Sequence, residues 1–266
     1  MQKGRGSHGN LDYTITSVQR ALRILELFMP DNRELTQNEI ASMTGLNKST
    51  VLRMVFTLCD EGFLKRDEET QKYKIGTKAM QIGLAALDSL SLAKVADPIL
   101  HNLSNETGFV THLGILEGNS VVVIAKTFPN DQPFSTRLQS TVGGILPIYC
   151  TGIGLLFLAQ ESEETARKIL EKCDLVAYTR TTETNIERIM ARLAEIRRDK
   201  WMLNNGEHDD GIVSVCYPIF DHTRKMVAGM SLGGIREVVF QQNVETLKEK
   251  AKRAALMISR DLGYYR

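Results

Sequence analysis

The feature that most constrains the fold is a pair of helix signals joined by a glycine turn near the N-terminus. Thr36 and Glu39 fit a capping box, in which the threonine hydroxyl caps the helix and the glutamate reaches back to the Thr36 amide. Gly45 follows this helix and can adopt the left-handed conformation that a tight turn requires. A second helix is predicted from Asn47 to about Cys59. Two helices joined by a three-residue turn with glycine are typical of a helix-turn-helix motif.

A helix before this motif and a hairpin after it complete a winged arrangement. Thr16 and Ser17 are candidate N-caps of the earlier helix, and Pro30 and Asp31 are expected to end it. After the motif, two short antiparallel strands are predicted around a polar tip at residues 67–71. The sequence therefore predicts a winged helix-turn-helix.

The helix that begins at Asn47 has an apolar face and a polar face. Apolar side chains at helical spacing are expected in its core: Val51, Leu52, Val55 and Leu58. The other face and the wing carry short polar and basic side chains, which suit DNA bases and phosphates. The candidate DNA-binding residues are Thr36, Asn47, Lys48, Ser49, Thr50, Arg53, Lys65, Arg66 and Lys72. Such a cluster with a hairpin also serves as a protein-interaction module, so the spacing alone leaves both functions open.

Composition excludes several classes of protein. The 266 residues are 42% hydrophobic and 24% charged, which is ordinary for a globular chain and excludes wholesale disorder and fibrous folds. No run approaches about 18 apolar residues, so a membrane-spanning helix is not expected. The polar N-terminus does not fit a secretory signal, which predicts a cytoplasmic protein with reduced cysteines. The net charge of +1 does not by itself indicate a nucleic-acid partner.

The rear two thirds of the chain combines predicted helices with β-rich runs. Helices are predicted at 77–90, 92–107, 152–160, 163–173, 185–199 and 244–262, and strands at 109–116, 120–127, 134–138, 212–220 and 226–232. Gly118 and Asn119 favour a hairpin between the first two of these strands. Helices around a mostly antiparallel sheet make an α+β domain.

The helix start at Gly152 is a candidate ligand site in this domain. The first N–H groups of a helix and the positive end of its dipole favour an anion such as a carboxylate. The neighbouring glycines either let a ligand approach the backbone or only permit tight packing, and the sequence leaves both explanations open.

Metal and thiol chemistry are the weaker alternatives. No pair of histidines or cysteines has the spacing of zinc ligands, so neither a metal nor another cofactor is predicted. Cys150 or Cys216 with a histidine could form a nucleophile and base, although isolated cysteines in apolar surroundings usually pack in the core.

The motifs and their order resemble the IclR family of bacterial transcriptional regulators. The resemblance rests on TGLNKSTVLR at 44–53, EGFL at 61–64, LPIYCTGIG at 146–154 and GIVSVCYPIFD at 211–221. It runs from about residue 14 to the C-terminus. The chain departs from the family pattern at Leu155, where lysine is usual, and at Asn204, where an acidic residue is common.

The resemblance implies a domain organisation and a function. A flexible N-terminus at 1–13 and a winged helix-turn-helix at 14–76 would precede a linker helix at 77–91 and a GAF-like effector-binding domain at 92–266. The protein would be a transcriptional regulator and not an enzyme, binding a palindromic operator in double-stranded DNA as a homodimer or as a homotetramer. Repressors and activators of the family share these motifs. A thiol-dependent enzyme, with a GAF-like domain fused to a DNA-targeting module, is the alternative.

The resemblance also implies an effector and the residues that hold it. The effector would be a small organic acid or a similar metabolite. Neither a membrane nor a cofactor is expected as a partner of the protein. Its expected contacts are Gly152, Ile153, Asn204, Ile212, Ser214 and Ser231. Without the resemblance, each serine would be interpreted as an ordinary strand residue with its hydrogen bonds satisfied.

Overall fold

The computed structural model describes residues 14–29, 33–89, 91–130 and 140–265. The chain divides into two compact units, one ending at Leu87 and one beginning at Asp88. The N-terminus at 1–13, the helix end expected at Pro30 and Asp31, and the strand expected at 134–138 lie outside the described residues. The finer domain boundaries at 76 and 91 stay predictions.

The first unit is a three-helix cluster with a two-stranded antiparallel hairpin, followed by a further helix. Its core is formed by side chains from the three helices and both strands, Ile24, Ile40, Val51 and Tyr73 among them. This is the winged helix-turn-helix that the sequence predicts. The elements are α1 (Thr16–Glu26), α2 (Gln37–Thr44), α3 (Lys48–Asp60), β1 (Leu64–Arg66), β2 (Tyr73–Ile75) and α4 (Thr77–Ser89).

Local signals set the ends of α2 and α3. The Thr36 hydroxyl accepts the Glu39 N–H at 3.3 Å, and the Glu39 carboxylate accepts the Thr36 N–H at 2.7 Å, which confirms the capping box. Gly45 closes α2 with a φ of 69°, in the left-handed region. Asn47 caps α3 by accepting the Thr50 N–H at 2.8 Å.

Two local predictions for the first unit are wrong. Thr16 and Ser17 do not cap α1, because the helix already begins at Thr16 and Ile15 occupies the N-cap position. Leu52 is not part of the buried stripe of α3, since its side chain is 49% exposed while Val51 and Val55 are fully buried. Successive helical residues are about 100° apart, which turns Leu52 out of the arc shared by those valines.

The second unit is built on a six-stranded antiparallel sheet in the order β5-β4-β3-β8-β7-β6. The chain leaves the sheet between β5 and β6, and three helices lie in that interval. The elements are α5 (Ser91–Thr107), β3 (Val110–Glu117), β4 (Ser120–Thr127), β5 (Ile145–Pro147), α6 (Gly152–Leu158), α7 (Glu163–Lys172), α8 (Ile186–Asp199), β6 (Met202–Asn205), β7 (Ile212–Phe220), β8 (Met226–Ile235), α9 (Arg236–Gln241) and α10 (Val244–Asp261).

Helices cover both faces of the central strands. Consecutive residues of β7 and β8 are buried, although successive side chains of a strand point to opposite faces. Helices α5 and α10 pack on each other and on the sheet, while α6 packs against β7 and β8. This α+β architecture confirms the predicted fold class, and the predicted β3–β4 hairpin is present.

Short elements were not predicted from the sequence. They are β5, β6 and the six-residue helix α9. β6 is an edge strand of four residues, two of them asparagines, and its pairing with β7 rather than its own residue preferences makes it a strand. Among the residues that the structure describes, no helix is both long and apolar enough to cross a membrane.

The capping box yields a stability prediction. Thr36→Ala should lower the free energy of opening of α2 by about 1 kcal/mol, because one N–H group of the first turn loses its acceptor. Hydrogen exchange of the α2 amides in the full chain measures this loss. Thr36→Ser, which retains the hydroxyl, is the matched control and should exchange like the parent. Equal protection of α2 in all three proteins would contradict the assignment.

Candidate functional site

Helix α3 carries four of the nine predicted DNA contacts of the first unit. Lys48, Ser49 and Arg53 are exposed, and Thr50 is half-buried in the first turn of the helix. Ser49 and Arg53 lie opposite the buried Val51 and Val55 stripe, and Lys48 lies beside it. The exposed surface of α3 is therefore polar and basic with apolar side chains, Leu52 and Phe56, among them, and DNA contact by each of the predicted residues stays a prediction.

Thr36 and Asn47, two other predicted DNA contacts, use their side chains within the protein. The Thr36 hydroxyl donates to the Glu39 carboxylate at 2.8 Å. The Asn47 carbonyl oxygen accepts from the Ser49 hydroxyl at 2.9 Å as well as from the Thr50 N–H. Both residues therefore orient the two helices of the motif, whatever contact they make with DNA.

The hairpin presents the remaining basic candidates. Lys65 and Arg66 are exposed on β1, and Lys72 is half-buried before β2. The Arg66 guanidinium lies 5.7 Å from the centroid of the Tyr73 ring and also bonds to Gln71. Because Tyr73 is buried in the unit core, this stacking fixes the position of one positive charge on the wing.

A pocket in the second unit brings together all six predicted effector contacts. It lies between the first turn of α6 and the strands β3, β6, β7 and β8. Five polar side chains that the sequence analysis did not assign to the site also line it: His112, Ser140, Thr151, His208 and Asp209. The six predicted residues that line it are Gly152, Ile153, Asn204, Ile212, Ser214 and Ser231.

Strand register explains why distant residues meet here. His112 on β3 pairs with Ser231 on β8, and Ser231 pairs with Cys216 on β7. The three side chains form one row across the sheet, and all three line the pocket. The only sequence signal for His112 was a polar residue within an apolar strand, which does not by itself indicate a ligand contact.

The N-terminus of α6 is buried at the pocket. Thr151 occupies the N-cap position, but its hydroxyl donates to the Pro147 carbonyl at 2.6 Å instead of capping the helix. The carbonyl of Thr151 accepts the N–H of Leu155, so helical bonding begins there. The first N–H groups of a helix have no partner within it, and the residues that begin α6, Gly152 and Ile153, line the pocket.

Packing accounts for the glycine at the start of α6. A Cβ atom on Gly152 would collide with the Cys216 sulfur and lie 3.5 Å from the Asn204 Cβ. The next side chain, Ile153, is seated above Gly229 of β8, where a Cβ would lie 2.7 Å from the Ile153 Cγ2. Of the two explanations left open by the sequence, tight packing is the one that the contacts at Gly152 support.

His112 is a neutral polar group within the pocket. Burial is the main cause that lowers its pKa to about 3, and the nearby Lys126 charge acts in the same direction. Its Nε2 atom lies 2.9 Å from the Ser140 hydroxyl, and its Nδ1 atom lies 3.5 Å from the Ser231 hydroxyl. A neutral imidazole can donate at one nitrogen and accept at the other.

Asn204 belongs to a buried network behind the pocket. Its amide donates to the Cys150 carbonyl at 3.0 Å and to the Glu207 carboxylate at 3.2 Å. Arg192 donates to the same carboxylate at 2.7 Å. Burial raises the pKa of Glu207, while Arg192 opposes that rise. The Asn204 amide is thus engaged within the protein, and its contact with an effector stays a prediction.

The buried thiols do not have the properties of nucleophiles. Burial raises the pKa of Cys150 and of Cys216 to about 12, so both are protonated near neutral pH. A reactive cysteine requires the thiolate, and a lowered pKa is the usual way to provide it. Within the described residues, no group of three or more histidine, cysteine, aspartate or glutamate side chains is arranged to hold a metal.

Comparison with solved structures gives the same architecture over almost the whole chain. An IclR transcriptional regulator from Alicyclobacillus acidocaldarius has a TM-score of 0.81 and 30% identity, with 93% of this chain and 99% of that chain covered. An IclR homolog from Microbacterium hydrocarbonoxydans, solved in complex with 4-hydroxybenzoate, has a TM-score of 0.80 and 25% identity, with 93% and 99% covered.

Comparison with known sequences gives the family. The family model described as "IclR helix-turn-helix domain" matches residues 17–68, and the model described as "Bacterial transcriptional regulator IclR C-terminal" matches residues 84–260. The HTH-type transcriptional regulator XynR of Escherichia coli K12 is 32% identical over 250 residues, 94% of this chain and 98% of that protein. Such relatives are DNA-binding regulators rather than enzymes, which excludes the thiol-dependent alternative. The chain belongs to the IclR family of bacterial transcriptional regulators.

Proposed function

We propose that this regulator binds a palindromic operator as a homodimer and that a small organic carboxylate in the pocket controls that binding. The observation that carries the proposal is the buried start of α6, where the Thr151 hydroxyl bonds to Pro147 instead of capping the helix and Gly152 and Ile153 line the pocket. A carboxylate supplies the acceptors that such a helix start lacks.

The polar lining suits an acid that carries a second polar group. The hydroxyls of Ser214 and Ser231 offer hydrogen bonds from neighbouring strands, and neutral His112 adds a further donor or acceptor. Asp209 lines the same pocket and would repel a carboxylate placed beside it. The Asp209 carboxylate can instead accept a hydrogen bond from a hydroxyl group. A hydroxy acid therefore fits both the start of α6 and Asp209. The Microbacterium homolog binds 4-hydroxybenzoate, which is a molecule of this kind.

A dimer places two winged helix-turn-helix units on one operator. Helix-turn-helix proteins contact half-sites about one helical turn apart, and a palindrome matches their twofold symmetry. Val18 and Leu22 of α1 are 52% and 55% exposed, and they offer an apolar face for the second copy. The protein acts in the cytoplasm, where it meets both DNA and metabolites. Dimers that pair further would form a homotetramer.

The effector acts by binding one arrangement of the protein more tightly than another. A ligand shifts an equilibrium only by its difference in affinity for the two states. Effector and operator must then alter each other's affinity by the same factor. Helix α4 spans the boundary between the two units, so it is the segment that joins the proposed DNA-binding surface to the proposed effector pocket in the chain.

Binding to DNA upstream of the protein's own gene, compared with random duplex at several salt concentrations, tests the proposal. Each measurement is repeated with a panel of small carboxylates that includes 4-hydroxybenzoate. Preference for the upstream DNA whose affinity changes with one acid supports both operator recognition and control by a carboxylate. Preference that no acid shifts counts against control by a carboxylate. Equal, salt-sensitive binding to both duplexes would show only phosphate contacts and would count against an operator at that position.

Replacing Arg53 tests operator recognition. Arg53→Ala should weaken operator binding by about 1–3 kcal/mol and relax the preference at one base pair, because a guanidinium that recognises a base contributes in this range. Binding to a set of single-base variants of the operator measures both effects. Arg180→Ala, at an exposed arginine of the second unit, is the matched control. A uniform loss over all sequences would reassign Arg53 to a phosphate contact.

Replacing Ser231 tests the pocket. Ser231→Ala should weaken binding of the active carboxylate about tenfold, because a hydrogen bond to a charged group is lost, while operator affinity without effector stays unchanged. Calorimetric titration of the full chain gives the effector affinity. Thr223→Ala removes a hydroxyl in the turn between β7 and β8 and serves as the control. Unchanged effector affinity in Ser231→Ala would show that the effector does not depend on a hydrogen bond from Ser231.

A further inference from the structure

Two large apolar side chains lie exposed on the side of α3 that carries Ser49 and Arg53. Leu52 is 49% exposed and Phe56 is 71% exposed. At about 100° per residue, one arc of about 100° on this helix contains five exposed side chains. They are Ser49, Leu52, Arg53, Phe56 and, in the last turn, Asp60.

The opposite side of α3 holds the helix in its unit. Val51, Val55 and Leu58 are buried in the core that the helices share with the hairpin. Leu52 and Phe56 therefore point away from the packing that fixes α3. A single exposed apolar residue is ordinary on a protein surface, but here two lie one helical turn apart on the face that carries Ser49 and Arg53.

We propose that Leu52 and Phe56 recognise the C5 methyl groups of thymines in the major groove of the operator. Thymine is the base that displays a methyl group there, and apolar side chains contact it. The neighbouring cations Lys48 and Arg53 favour a polyanion over an apolar protein partner on this face. The inference rests on the proposed recognition of an operator and specifies part of its sequence.

The spacing of the two side chains sets the spacing of the thymines. A rise of about 1.5 Å per residue separates Leu52 from Phe56 by about 6 Å along the helix axis. Base pairs of a duplex are about 3.4 Å apart. Each half-site should therefore contain two methyl contacts about two base-pair steps apart when the helix follows the groove.

Methyl deletion in the DNA tests this inference directly. The full-length protein first selects its operator from a pool of random duplexes. Single thymines of that operator are then replaced by deoxyuridine, which removes the methyl group and leaves the base-pairing and hydrogen-bonding edges unchanged. The wild-type protein should lose about fourfold in affinity at each contacted thymine, the size expected for one buried methyl group.

Protein variants assign each methyl to a side chain. In Leu52→Ala and in Phe56→Ala, the deoxyuridine penalty should disappear at one thymine and persist at the other. Met43→Ala, at a residue of α2 that is 48% exposed, removes similar apolar surface and should keep every penalty. Each penalty is a ratio of two affinities of the same variant, so partial misfolding of a variant does not alter it.

The outcomes separate this inference from the proposed function. A selected operator whose deoxyuridine duplexes bind as tightly as the parent overturns the inference and leaves operator recognition intact. The same holds if all penalties persist in both variants, or if Phe56→Ala changes only the oligomeric state, which would make the face a protein interface. If the wild-type protein selects no sequence, operator recognition fails and the inference fails with it.

Discussion

The contact between the start of α6 and the sheet is the constraint on which the second unit depends. The backbone at Gly152 approaches Cys216 so closely that a Cβ atom has no room, and Ile153 is seated on Gly229. Because interiors are close-packed, this contact sets the distance between helix and strands. The pocket is the space left beside it, and its floor is the first turn of α6.

Several polar groups that are buried near this contact have hydrogen-bond partners within the protein. The Thr151 hydroxyl bonds to Pro147, and Asn204, Glu207 and Arg192 satisfy one another behind the pocket. Buried polar groups with partners cost little, whereas groups without partners are expensive. Burial of the titratable side chain of His112 favours its neutral form and lowers its pKa to about 3.

In the first unit, one face of α3 packs in the core and the other face is exposed for recognition. Val51 and Val55 hold the helix in the core, while the exposed side presents Ser49 and Arg53 beside Leu52 and Phe56. The capping side chains of Thr36 and Asn47 orient the helices, and Asn47 is also exposed beside the polar residues of α3. Rigid placement by the core leaves the outer side chains free to vary in chemistry, which is where sequence recognition of DNA resides.

The sequence by itself determined the winged helix-turn-helix and the main helices and strands of the second unit, and its resemblance to the IclR family implied six residues that line one pocket. Capping boxes, glycine turns and apolar periodicity act over a few residues, so they are visible in the chain. The tertiary structure alone decided the exposure of Leu52, the short strand β6, and the entry of His112 and Asp209 into the pocket. These depend on strand register, which pairs His112 with Ser231 across more than a hundred residues, and no local signal encodes such a pairing.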